Sequence, residues 1–128
     1  MVRMSLQLAK LRGSIFEGAD LRGSRFDGAD LRDVNFRDAD LRGAIFFDAD
    51  LRGADLTGAL IDLADFRGAD VRGAQMLPAS AAGACLVGAR TTGAVSNRAL
   101  AEQVLMGVVI GAAAVSLFVF MTLGCASA

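Results

Sequence analysis

The sequence predicts a tandem-repeat solenoid followed by one apolar helix of membrane length. Three observations predict it. A five-residue phrase, small-polar-apolar-polar-Gly, as in Ala49-Asp50-Leu51-Arg52-Gly53, can be laid over nearly everything before Val95. Glycine recurs two residues after the apolar centre, and residues 104–124 carry no charge. A unit this short cannot bury an apolar face alone, so it is stable only when stacked on its neighbours.

Read in fives from Met4, the apolar centres begin Leu6, Leu11, Phe16, Leu21 and Phe26 and continue through Leu86 to Thr91. Two residues before each centre stands a small side chain, unbroken from Ala39 to Ala94. A strict period of five fits neither the 3.6 of an amphipathic helix nor the 2 of a strand. The chain must therefore turn once per repeat. Gly13, Gly23, Gly53 and Gly73 are among the glycines in the turn slot, where absence of a Cβ permits a tight turn. Asp33, Asp38 and Asp48 take the same slot.

Runs such as Ala19-Asp20-Leu21-Arg22-Gly23 and Ala39-Asp40-Leu41-Arg42-Gly43 resemble the pentapeptide-repeat family, over about residues 4–94. The resemblance implies a mainly β fold, a right-handed quadrilateral β-helix in which four repeats make one coil. The centre and the small residue then face inward and the other three outward. Met4 to Gly93 is 90 residues, hence 18 repeats and about 4.5 coils. At about 4.8 Å per coil the stack is roughly 22 Å tall.

From Leu11 to Leu51 the centres alternate Leu and Phe without exception. A twenty-residue coil therefore puts Phe26, Phe46 and Phe66 on one wall and Phe16 and Phe36 on the wall facing it. Outward, the wall centred on Leu11, Leu31, Leu51 and Val71 carries Lys10, Asp30, Asp50 and Asp70 on one side and Arg12, Arg32, Arg52 and Arg72 on the other. Arg32 and Arg52 are candidate contacts for a partner on that wall, against the plainer reading of a solvated charged face. A second wall turns Ile45 and Phe47 outward, with Cys85 and Val87 further along, and is the candidate apolar contact.

After Arg72 the outward residues lose charge until Arg90, and Leu77-Pro78 interrupts the turn pattern, so regular coils should end near Ala94. The expected units are 1–94 for the repeats, 95–103 for a linker and helix start, 104–124 for a transmembrane helix and 125–128 for a short tail across the membrane. Twenty-one uncharged residues at about 1.5 Å each reach roughly 31 Å, the thickness of a bilayer core. The competing reading is a buried capping or dimerising helix, but Val108-Val109-Ile110 and Leu117-Phe118-Val119-Phe120 leave no polar face. Gly107 with Gly111, and Ala112 with Ser116, form small-xxx-small pairs suited to close helix packing.

Arg90 and Arg98 precede the span, so the positive-inside tendency puts the repeats on the cytoplasmic side. The N-terminal residues show no signal peptide. The expected location is a bacterial inner or intracytoplasmic membrane, single-pass and tail-anchored. Cys85 and Cys125 lie in segments of different character, which indicates neither a disulfide framework nor a thiolate metal site. A reducing compartment fits that reading.

The chain has no His, Trp or Tyr, which removes the commonest general base and the usual stacking platforms. Outward Asp and Arg recur because the repeat recurs, and nothing gathers a nucleophile, base and oxyanion donor in one cleft. No enzyme, cofactor, metal or nucleic-acid partner is expected. Residues 4–94 carry 13 acidic and 11 basic residues, a net charge of −2. That is far from the acidic rod with which some soluble members of the resembled family imitate DNA and bind type II topoisomerases, the alternative function. The favoured expectation is a membrane-anchored scaffolding or accessory subunit whose partners are lipid and integral membrane proteins of a larger complex. Self-association through the same transmembrane helix is the further partner expected.

Overall fold

The computed structural model describes residues 3–76 and 81–90. Each repeat makes one side of a square. After the inward centre the chain turns, and the N–H of the residue three places on returns to the centre's carbonyl, as Ala54 does to Leu51 at 3.0 Å. The residue two after the centre has positive φ in every such turn, between 54° and 74°. Four-residue turns of type II require this at their third residue, which is why glycine dominates the slot. Aspartate tolerates it next best, at Asp33, Asp38 and Asp48.

Coil stacks on coil at a spacing of twenty residues. Every described bridge is parallel and joins residues twenty apart, from Ser5 with Arg25 to Asp70 with Arg90. Centre N–H groups donate to the carbonyl nineteen residues on, as Leu31 does to Asp50 at 2.8 Å. The bridging residues donate in the other direction, as Asp50 does to Ala29 at 3.0 Å. Backbone polar groups in the middle coils are thus satisfied between coils, and the side chains are free to divide between inside and outside.

The inside is dry and narrow. Phe26, Phe36, Phe46 and Phe66, with Leu31, Leu41, Leu51, Leu56 and Ile61, have no solvent exposure. Phe46 stacks on Phe26 and Phe66 with ring centroids 5.0 and 4.8 Å apart, nearly parallel to each. Phe16 stacks on Phe36 at 5.5 Å. Rings of opposite walls meet edge to face, Phe36 against Phe46 at 5.9 Å and 76°. The alanine row, from Ala39 to Ala84, leaves room for these rings. One polar group joins the row: Ser24 is fully buried, and its hydroxyl oxygen accepts the Met4 N–H at 3.2 Å. In the first coil Leu6, Leu11 and Phe16 are only partly buried, because no described coil lies beneath them.

Two features depart from expectation. Leu8 and Leu63 also occupy the turn slot with positive φ, 57° and 58°, and are exposed. Leucine is tolerated there because the slot one coil on holds glycine: a Cβ on Gly28 would stand 2.8 Å from Leu8, and one on Gly83 would stand 2.8 Å from Leu63. Asp33, Asp38 and Asp48 lean in the same way over Gly53, Gly58 and Gly68. The second departure is Cys85, expected outward and without a disulfide. It is 7% exposed and disulfide-bonded, its partner outside the described residues. Bridging positions elsewhere, such as Ile45 and Asp65, are already half covered, and a side chain as short as cysteine is covered fully.

Among the described residues, no helix is long and apolar enough to cross a membrane. The transmembrane expectation for 104–124 lies outside the described residues, as do the 95–103 linker, the 125–128 tail and the packing residues Gly107, Gly111, Ala112 and Ser116.

Candidate interaction surfaces

With the interior filled, chemistry resides on four flat walls, named here by a buried centre. The Leu31 wall presents Asp30 with Arg32, Asp50 with Arg52 and Asp70 with Arg72. In each pair the guanidinium grips the carboxylate with two hydrogen bonds, 2.7 and 2.6 Å for Arg32 on Asp30 and 2.8 and 2.7 Å for Arg52 on Asp50. The approach to the carboxylate one coil on is looser, 3.8 Å from Arg32 to Asp50. Bidentate geometry of this kind matches the planar fork of arginine. Arg32 and Arg52, the candidate contacts, therefore already hold anions of their own chain.

The electrostatics follow. The Arg32 hydrogen bonds hold the Asp30 carboxyl down to about 2 from its ordinary 3.8, working against desolvation. Asp20, gripped by Arg22 on the Leu41 wall, is likewise held at about 2. Asp50 and Asp70 are lowered in the same direction, by Arg52 and Arg72 respectively. These carboxylates stay ionised through any physiological pH and are not acid or base candidates. The Phe36 wall is mixed: the Thr57 hydroxyl donates to Asp55 at 2.6 Å, and Arg37 reaches Asp55 at 3.2 Å.

The Phe46 wall differs. At its middle coil Ile45 is half-buried and Phe47 is 44% exposed, where the coils on either side carry charge. Five of the six exposed large apolar residues, Met4, Leu8, Phe47, Leu63 and Val87, lie on this wall or its two bounding corners; Ile15 is the sixth. One coil before Phe47 stands Arg25 paired with Asp27 at 2.9 Å; one coil after it stands Asp65 paired with Arg67 at 2.6 Å. The order of charge is reversed between the two. Arg67 also lies over the Phe47 ring, 5.9 Å from its centroid.

Two shallow hollows flank the wall. One, about 310 Å³, is lined by Met4, Gly23, Arg25, Gly43 and Ile45 among others. The other, about 420 Å³, is lined by Leu8, Asp27, Gly28, Phe47 and Asp48 among others. Among the described residues no group of His, Cys, Asp or Glu could hold a metal ion. The reversed charges and the corner leucines were not singled out by sequence reasoning. The signal was present, as Arg25-Phe26-Asp27 against Asp65-Phe66-Arg67, but it is forty residues apart and acquires meaning only on a shared wall.

The pentapeptide-repeat model, eight copies long, matches residues 5–43 and 44–76. No curated protein matches the chain. Among solved structures, a pentapeptide-repeat protein of the Arabidopsis thaliana thylakoid lumen is 34% identical, with a TM-score of 0.59 over 71% of this chain and 60% of that one. The pentapeptide-repeat protein Rfr23 of the cyanobacterium Cyanothece 51142 is 24% identical, with a TM-score of 0.38 over 73% and 58%. QnrB1, a plasmid-mediated fluoroquinolone resistance protein, is 19% identical, with a TM-score of 0.33 over 69% and 53%. The chain thus spans at most three-fifths of the length of these three structures. A repeat of five in one phase, a coil of twenty and the family match together make this chain a member of the pentapeptide-repeat family, a right-handed, four-sided β-helix.

Proposed function

We propose that this protein is a non-catalytic interaction subunit of a membrane complex, a stiff β-helix presented beside the bilayer by residues 104–124. The observation that carries the non-catalytic part is the state of the polar groups. On the charged walls, carboxylates such as Asp30, Asp50 and Asp70 are each gripped by a guanidinium of their own repeat. Flat walls whose paired charges compensate one another suit protein contact, and these three carboxylates are held ionised rather than poised for acid-base work. The membrane part rests on the sequence, on twenty-one consecutive residues without charge.

We place the β-helix on the cytoplasmic side because Arg90 and Arg98 flank the uncharged segment on the repeat side. A disulfide at Cys85 counts against such a span, because the one other cysteine of the sequence, Cys125, would then stand on the opposite side of the membrane. Thiol labelling of sealed membrane vesicles, with and without prior reduction, separates the two readings. The DNA-mimic alternative needs a strongly acidic rod, and residues 4–94, with 13 acidic against 11 basic residues, supply none.

The test is extraction of the full chain in mild detergent and identification of what travels with it. Recovery in the membrane fraction with integral partners is expected. Gly107→Leu with Gly111→Leu should release those partners while leaving the protein membrane-bound. A full chain recovered wholly in the soluble fraction overturns the membrane reading.

A further inference from the structure

We propose that the Phe46 wall is a self-association surface, on which two copies pack wall against wall with their β-helix axes antiparallel. The argument begins with symmetry. A two-fold axis along the strands, through the Ile45-Phe47 coil, brings that coil against its own copy and the coil before it against the coil after it. Arg25 of one copy then meets Asp65 of the other, and Asp27 meets Arg67. Each within-wall pair, at 2.9 and 2.6 Å, becomes half of a four-membered ring of alternating charge.

The reversal of charge order makes this work. On the Leu31 wall Asp precedes Arg in every coil from Asp30 to Arg72, so the same operation would set Asp30 against Asp70 and Arg32 against Arg72. Only the wall with the apolar centre is complementary to itself in this way among those bearing Asp-Arg pairs.

Shape agrees with charge. The exposed Leu63 corner falls opposite the mate's Gly23, which the Arg3 side chain overlies, beside the open Gly43 corner in the hollow of about 310 Å³. Arg67 falls opposite the hollow of about 420 Å³ that holds Asp27 and Asp48. Asp48 meets its own copy at the rim, where solvent screens the repulsion and Arg67 stands near. Phe47, 44% exposed in one copy, is covered by its counterpart. One wall offers far less than the ~800 Å² per partner of a standard interface, so the dimer is concentration-dependent rather than obligate.

This surface is separate from the uncharged segment, and its test separates them. Sedimentation of the full chain in mild detergent is compared for wild type, for Arg25→Asp with Asp27→Arg, and for that variant with Asp65→Arg and Arg67→Asp added. The first exchange keeps an ion pair within the wall but turns the cross-copy attractions into like-charge contacts. We expect it to weaken dimerisation about tenfold or more, with an unchanged melting temperature, and the second exchange to restore it. A wild type monomeric up to about 100 μM, a range reaching well past ordinary micromolar affinity, overturns the proposal. So does a dimer indifferent to the first exchange, because a parallel arrangement or a helix-mediated contact would not sense the order of charge.

Discussion

The Leu31 and Phe46 walls are built from the same five-residue unit on the same backbone, yet they offer solvent different chemistry. The first repeats Asp-apolar-Arg through three successive coils, from Asp30 to Arg72, and satisfies these charges coil by coil. The second breaks that rhythm at Ile45 and Phe47 and inverts charge order on either side. Repetition of one salt-bridged unit yields a wall that is soluble and chemically silent. Departure from repetition yields one with a direction and a centre. In a solenoid, where every unit has the same backbone, the departures are where specificity can be written.

The comparison can be broken first from the inside. Phe46→Ala removes the middle ring of a three-ring stack and should cost about 3–5 kcal/mol, read as a lower midpoint in chemical denaturation. An unchanged midpoint would contradict the packing on which the wall stands.

The corners sharpen it. Gly73→Ala, beside the Leu31 wall, meets nothing within 4 Å and bears only the cost of positive φ, about 1–2 kcal/mol. Gly68→Ala, beside the Phe46 wall, bears that cost and must also push the exposed Asp48 carboxylate to another rotamer, for about 0.5–1.5 kcal/mol more. Adding Asp48→Gly should return it to the level of Gly73→Ala, a coupling that a double-mutant cycle reads directly. Equal effects at the two glycines would show that corner side chains do not lean on the next coil.

Acid tests the charged walls together. The carboxyls of Asp20, Asp30, Asp50 and Asp70 have folded values below their ordinary 3.8, about 2 for the first two. Their contribution is therefore fully present above the unfolded value and is lost as pH falls through the folded one. The melting temperature should be flat from pH 8 to about 5 and fall between about 4 and 2. A fall centred near neutrality would mean that other groups control it.

The smallest effect belongs to single exposed charges. Arg52→Ala should leave the melting temperature nearly unchanged, since the Arg52 side chain is 44% exposed and its pairing is screened. A loss of several kcal/mol in thermal unfolding would show that the ladder acts cooperatively.

Much of the fold was legible because its determinants are local. A centre, a turn slot and a small residue recur within five positions, so the phase of the repeat marks which side chains go inward. Leu-Phe alternation stacks Phe on Phe once the coil is twenty residues long. The turn slots carry a further signal that sequence reading passed over. In a coil of twenty no non-glycine residue stacks on another, whereas a coil of fifteen would set Asp33 beneath Asp48, and one of twenty-five would set Leu8 beneath Asp33. Leu8 and Leu63 depart from the glycine pattern within their own repeats, and the glycines they lean over, Gly28 and Gly83, lie one coil away.

The sequence by itself determined the period, the inward ladder and the turn chemistry, since each depends on backbone geometry within one repeat. Only the tertiary structure decided which charges pair and which surface stands apart. Asp30 is held by its own Arg32 at 2.6 Å, whereas Arg32 lies 3.8 Å from the Asp50 of the next coil. Cys85 is covered although its position points along a wall, and Arg25-Asp27 faces the opposite order to Asp65-Arg67 across Phe47. Beyond the pairs within one repeat, these relations join residues twenty and forty positions apart, and stacking alone makes them neighbours.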